Sequence, residues 1–458
     1  MRTRCGVCGV MCMVTALGGG GLAAGCGDDS RERPDAAVPV DAAVADVAVL
    51  EPPPPTAPQV AIRVYPNGFP YTGPTANASL VALQDGDGEW RPLTGTDGVY
   101  RAEVKSARYA VAVMCGRGLE SATRLYYQAV SDTAELHTLG CRREQEDAQV
   151  HVSMRVAGFK APQHAEIWVG PTSRIGDVEG RVELDVRPGP AEYLVKSYLV
   201  ENGAQVPVKL YRGPTLELTT NQIEEVDLGI QGVGAERHPL VLLGREKSET
   251  AQLDSSYATP HSEVAWPIAS ESFVIGDPTS YATIGAEGRR PEDVSNLTAT
   301  VSRTSQLESR TYARTVQVAR ATSGAATLQL PAPWTLTSPL VDRAMVPRVT
   351  VVLPLTAPTL ARSDYHVELS TTQLSVPANT ISLTVRPSWA EGAGTVTITT
   401  PDLSQLPGWS PDLALRRNMP VDWTATRTDR SLADDALPVD GRVILENRVS
   451  GRSFPTPR

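Results

Sequence analysis

The sequence predicts an all-β protein: tandem β-sandwich domains after a signal segment and a disordered acidic, Pro-rich stalk. Three observations carry this. Runs of Val, Thr, Ile and Tyr with period-two alternation recur from residue 59 to the C-terminal region, as half-buried strands require. Turn residues separate the runs, and the chain holds 37 Gly and 37 Pro, enough to punctuate many short strands. Long helical periodicity is absent after the signal segment.

Residues 1–25 read as a signal segment. Arg2 and Arg4 form a basic start, and Cys5 to Leu17 is an apolar run of signal-core length. Gly18 to Gly21 break it, and Asp28, Asp29, Arg31 and Glu32 follow. A spanning helix needs about 20 apolar residues, so this segment is too short to span. Residues 26–58 read as the stalk. Asp35-Ala36-Ala37-Val38, Asp41-Ala42-Ala43-Val44 and Asp46-Val47-Ala48-Val49 repeat loosely, and Pro52 to Pro55 close the tract. So few large apolar side chains cannot offset the entropy of ordering, and the prolines extend the end.

Residues 59–146 and 147–234 read as two sandwich domains. In the first, Asp85-Gly86-Asp87-Gly88 and Asp97-Gly98 are hairpin signals. Tyr109, Val111, Val113 and Cys115 share one strand face. In the second, Val150, Val152, Met154 and Val156 alternate with His151, Ser153 and Arg155. The two blocks share an order of features. Ala78 to Ala82 corresponds to Ala165 to Val169, Gly98 to Val104 to Gly180 to Val186, and Tyr109-Ala110-Val111 to Tyr193-Leu194-Val195. This is the pattern of a diverged tandem repeat. Residues 235–458 continue β-rich, as one large sandwich or two small ones split near residue 346.

Charge and composition narrow the function. A formal net charge of −10 excludes a nucleic-acid binder, which needs a basic face. Four Phe in the whole chain and a polar Thr456-Pro457-Arg458 terminus argue against an outer-membrane barrel with its aromatic girdles. Cys5, Cys8 and Cys12 fall in the signal, which leaves Cys26, Cys115 and Cys141. Cys115 and Cys141 are expected to pair, as cysteines of exported chains do; two buried thiols is the alternative.

Catalytic signatures are missing: no nucleophile elbow, zinc-helix motif or phosphate loop occurs. No catalytic or metal-binding residues and no cofactor are expected, and the chain is expected not to be an enzyme. The six histidines lack ligand spacing, and His151 and His366 are expected on solvated strand faces. Asp402 and Asp412 follow prolines and read as turn acids. Trp168 and Trp423 read as core. Trp90, beside an acidic turn, and Trp409, in a Pro-Gly loop, are the candidate ligand contacts.

Three resemblances extend this reading. Ala23-Ala24-Gly25-Cys26, with Leu22 one place before the usual aliphatic position, resembles a bacterial lipoprotein signal. That implies diacylglycerol on Cys26, which becomes the new N-terminus, and a place in the cell envelope at the outer membrane. The plain alternative is a secretory signal in which Cys26 is incidental. The acidic stalk resembles those of myxobacterial lipoproteins. The repeated blocks resemble carboxypeptidase-regulatory-like (prealbumin-like) sandwiches, which implies structural or adhesive modules. The expected role is a membrane-anchored envelope lipoprotein that is structural, adhesive or protein-binding, with envelope proteins or polysaccharide as partners and no nucleic acid. The alternative is a carbohydrate-binding protein or hydrolase with its site in the C-terminal region.

Overall fold

The computed structural model describes residues 58–66, 75–115, 122–133, 135–141, 149–177, 179–201, 204–260, 262, 264–373, 376–432 and 440–456. The expected signal segment, residues 26–57 of the expected stalk and Cys26 lie outside these residues. Among the described residues, every extended element is a strand, and helical structure is confined to 3-10 turns at Ala286–Gly288, Pro387–Ala390 and Pro411–Leu413. The chain is all-β and built from packed sheets.

The first sandwich contains β1 (Gln59–Pro66), β2 (Leu80–Asp85), β3 (Arg91–Pro92), β4 (Gly95–Thr96), β5 (Val99–Glu103), β6 (Arg108–Cys115), β7 (Ala122–Ala129) and β8 (Glu135–Cys141). One sheet runs β4-β5-β1-β8, with β1 parallel to β8. The facing sheet runs β3-β2-β6-β7. Asp97 and Gly98 both take positive φ in the two-residue β4–β5 turn, the conformation an Asp-Gly hairpin supplies at least cost. Val60, Ile62, Val64, Val81, Leu83, Tyr109, Val111, Val113 and Cys115 fill the core between the sheets.

The second sandwich repeats that topology. Its strands are β9 (Val150–Ala157), β10 (His164–Val169), β11 (Thr172–Ile175), β12 (Arg181–Val186), β13 (Gly189–Ala191), β14 (Tyr193–Glu201), β15 (Ala204–Arg212), β16 (Leu216–Leu218) and β17 (Gln222–Asp227). The sheet β12-β9-β17 matches β5-β1-β8, including the parallel pairing of first and last strand. The sheet β11-β10-β14-β15 matches β3-β2-β6-β7. The strand correspondences read from the sequence therefore coincide with equivalent places in the two sheets.

The C-terminal region holds two further cores. Around the first lie β18 (Val233–Leu243), β19 (Thr250–Ala258), β20 (Trp266–Phe273), β21 (Ser280–Ile284), β22 (Val294–Ser305), β23 (Arg310–Arg320) and β24 (Ala326–Gln329). The early half of β18 pairs with β21 and the later half runs parallel to β24. Leu240, Leu242, Leu253, Leu297, Val301 and Leu328 meet between these strands and the sheet β20-β19-β22-β23. Around the second core lie β25 (Leu340–Val341), β26 (Val349–Pro354), β27 (Arg362–Gln373), β28 (Val376–Val385), β29 (Thr395–Thr399), β30 (Val421–Arg430) and β31 (Val443–Ser453). The sheet β25-β26-β29 covers β28-β27-β30-β31, with Val351, Leu353, Ile398, Tyr365, Val367 and Trp423 between them.

These cores are joined by backbone hydrogen bonds. β23 pairs with β31, and β28 pairs in parallel with β7 of the first sandwich. β15 touches both β18 and β20. The result is one 19-stranded network reaching all four cores. Two strands of this network, β6 and β14, are buried on both faces. From Tyr109 to Cys115 every β6 side chain is buried: the odd positions face the first core, while Ala110, Ala112 and Met114 pack in the β27–β30 core. Two-faced burial explains why this stretch is a continuous apolar run.

β14 is likewise buried from Tyr193 to Tyr198. Its Leu194 packs with Tyr257, Trp266, Ile268, Ala282 and Ile284 of the next unit. Trp168, expected in the core of its own sandwich, is half-buried against this second cluster, because it points opposite to Ile167 and Val169. Ion pairs are buried at the same junction. Lys196 Nζ lies 2.9 Å from Glu166, with only 1% of its side chain exposed. Arg212 is bracketed by Glu192 at 2.7 Å and Asp293 at 2.8 Å. Thr259 donates to Glu192 and Tyr257 to Asp293. Burying charge is tolerable only with such pairing.

Candidate binding face

The sequence forms the candidate site by alternation. In β22, Leu297, Ala299 and Val301 point into the core, so Thr298, Thr300, Ser302 and Thr304 point out. In β30, Val421, Trp423 and Ala425 point in, so Asp422, Thr424, Thr426 and Thr428 point out. Antiparallel register lines these residues up across the sheet. One row runs Thr304, Thr311, Ser450, Thr424, Glu368, Ser382. A parallel row runs Ser272, Gln252, Thr300, Thr315, Glu446, Thr428, Asp364. The face spans eight strands, β20-β19-β22-β23-β31-β30-β27-β28, or roughly 34 Å at ordinary strand spacing.

Neighbouring hydroxyls hold one another. Thr300 and Thr315 share a hydrogen bond of 3.0 Å, and Thr304 and Thr311 one of 3.3 Å. The charged groups on the face are largely paired within it. Arg452 Nε lies 2.6 Å from Asp422, Arg448 2.7 Å from Glu446, and Arg362 3.1 Å from Asp364. Pairing with Asp422 raises the pKa of the Arg452 guanidinium. An open depression of about 400 Å³ interrupts the face. Ser309, Thr311, Glu368, Ser370, Asp422, Thr424 and Ser450 line it, with Trp423 and Gly451. Five hydroxyls and two carboxylates therefore border one concave surface.

His366 lies beside this depression, in register with Thr426 and Thr384. The sequence reading placed it on a solvated face. It is instead half-buried in the close-packed Thr and Ser rows, and Nδ1 is 3.3 Å from Thr384 Oγ1. Burial lowers its pKa, and Glu368 pulls in the opposite direction. His151 points outward as expected, between Asp185 at 3.0 Å and Glu183. Hydrogen bonds to those two carboxylates raise its pKa.

Trp90 and Trp409 are both half-buried and pack against the β27–β30 core. The loop before Trp409 sits close on β2: a side chain at Gly408, where φ is +90°, would meet the Ser79 carbonyl at 2.4 Å. Neither tryptophan lines the depression. Asp85 turns its carboxylate inward to accept from the Lys105 and Ser106 amides. Asp402 accepts from Ser404 N, a turn contact. Among the described residues, no group of three or more His, Cys, Asp or Glu is placed to hold a metal ion.

Cys115 is 1% exposed and ends β6. The backbone of Cys141 lies in the facing sheet, opposite Pro66. Sequence reasoning missed the hydroxyl face, although Thr at every second position in β22 and β30 was the signal for it.

No family model matches the chain, and no curated protein matches it. Among solved structures, the chain is similar to the FN1–FN3 domains of chicken CNTN1 at 7% identity, over 72% of this chain and 91% of that one, with a TM-score of 0.13. A likeness that slight carries no argument about function.

Proposed function

We propose that the chain is a cell-envelope lipoprotein, held at the outer membrane by diacylglycerol on Cys26, whose sandwiches form a structural or adhesive block. The observation that carries this reading is the continuous sheet through four cores, which suits a rigid display platform better than a hinged cleft. The lipobox-like stretch Ala23 to Cys26 and the acidic stalk support the anchor. One lipid chain gives marginal binding and two or more give stable anchoring, because each buried methylene contributes about 0.8 kcal/mol. Membrane fractionation tests the anchor. The wild-type chain partitions with membranes and yields a lipidated N-terminal Cys26 peptide; Cys26→Ala is released. An unmodified N-terminus at another residue would overturn the assignment.

A Cys115–Cys141 bridge across the first sandwich belongs to the same reading. The burial of Cys115 and the position of Cys141 in the facing sheet support it. Closing that loop of about 26 residues stabilises by roughly 3 kcal/mol in the chain-entropy model. Non-reducing peptide mapping identifies the linked pair. A binding role in the C-terminal region is favoured over a hydrolytic one by the open, hydroxyl-bordered depression, whose Asp422 is paired with Arg452.

A further inference from the structure

We infer that the hydroxyl-rich face, centred on the depression at Glu368, Asp422, Thr424 and Ser450, docks a neutral hydrated polysaccharide. The inference deepens the adhesive reading and rests on it for its setting. Each class of partner needs a different surface. Protein interfaces have a desolvated core of aromatic and aliphatic side chains, with Ser, Asp and Glu depleted. On this face the outward positions of β22 and β30 are almost entirely Thr, Ser and Asp. A lipid surface needs an apolar stripe or an excess of basic charge. Here Arg452 is paired with Asp422 and Arg448 with Glu446, Arg362, Arg386 and Arg430 converge on Asp364, and no apolar stripe accompanies them. At the depression Arg452 cancels the charge of Asp422, which weakens the field felt there by a charged polymer.

Hydroxyls remain, in rows that cross six and seven strands and are interrupted by Gln252, Glu446, Asp364 and Glu368. Each hydroxyl donates once and accepts twice, which matches the donor and acceptor pattern of a sugar ring. The Thr300–Thr315 and Thr304–Thr311 hydrogen bonds orient these groups before any ligand arrives. β-branched threonine is also stiff at χ1, so little side-chain entropy is lost on contact. At roughly 34 Å the face is long enough to engage several residues of one polymer at once, so weak contacts combine into avidity. The depression gives one place where a ring can be gripped from several sides by Glu368, Thr424 and Ser450.

Co-sedimentation of the purified full-length chain with insoluble polymers tests this. The probes are cellulose and a β-1,3-glucan (neutral), chitosan (cationic) and calcium alginate (anionic). The wild type pellets with at least one neutral polymer, and soluble oligomers of that polymer compete. Thr424→Ala with Ser450→Ala weakens retention about tenfold, as loss of two hydrogen bonds implies. Ser450→Trp, which fills the depression, does the same, and Ser153→Ala on the distant β9 face leaves retention unchanged. Hydrogen exchange on the wild type gives a readout independent of variant folding: soluble oligomer slows exchange in Val421–Arg430 and Val443–Ser453. Background retention on both neutral polymers, retention on the charged polymers alone, or unchanged exchange in those strands overturns the proposal. The anchor is scored separately by membrane partition, so each reading fails on its own measurement.

Discussion

The guanidinium of Arg212 lies 2.8 Å from the carboxylate of Asp293, and neither side chain reaches solvent. Arg212 ends β15 of the second sandwich, and Asp293 precedes β22 of the next unit. The contact is therefore a charged rivet between two cores.

Removing the cation at this rivet leaves Glu192 and Asp293 buried together. Arg212→Met is expected to cost about 3–5 kcal/mol, the usual penalty for stranding a buried charge. Denaturant titration reads it as a lower midpoint. An unchanged midpoint would overturn the reading of this contact as a buried rivet.

The outer face of β6 provides a second test. In an isolated sandwich Ala112 would point to water, and Ala112→Glu would be mild. Here Ala112 is fully buried against the β27–β30 core, so the substitution is expected to cost more than about 4 kcal/mol or to abolish folding. Thr426→Glu on the open face is expected to stay within about 0.5 kcal/mol. Thermal melts of both variants compare the two faces directly.

His151 has a raised pKa through its hydrogen bonds to Asp185 and Glu183. A raised folded-state value contributes stability that is complete below the ordinary histidine value near 6.5 and fades as pH rises through the folded value. Asp185→Asn with Glu183→Gln is expected to return the His151 titration, followed by NMR, to the ordinary range.

His366 carries the opposite sign. Burial lowers its pKa, so the unfolded chain takes up its proton first as pH falls below about 6.5. Stability therefore declines with acidification between the ordinary and the lowered value. His366→Gln is expected to flatten that part of the stability profile, measured by urea unfolding at stepped pH.

Much of this was legible in the chain. Period-two runs located most strands, and the shared order of features in the first two blocks marked a repeat that the sheets reproduce. The burial of β6 on both faces was harder to see. Tyr109 to Cys115 was read for its odd positions alone, and the even ones are small enough to suit either environment. The strands β19 and β20 mix Glu, Gln and Ser with their apolar positions, because their outer faces are polar. The junction charges were invisible for another reason. Nothing local in Lys196 or Arg212 distinguishes a buried cation from a solvated one; only the packing of a neighbouring unit decides it. His366 lies on the outward strand face as read, but its half-burial was invisible on the same ground, since its neighbours Thr384 and Thr426 come from other strands.

The parallel seam between β7 and β28 also sets an order of events. Thr123 donates to the carbonyl of Leu413, 290 residues further along the chain. Synthesis runs from the N-terminus, so β2, β6 and β7 form long before the strands that cover their outer face. Until β26 to β31 arrive, Ala110, Ala112, Met114 and Leu125 present an apolar sheet face to solvent. Until the last quarter of the chain closes over it, the early sandwich carries an uncovered apolar face, so truncation before β26 is expected to leave a chain prone to aggregation.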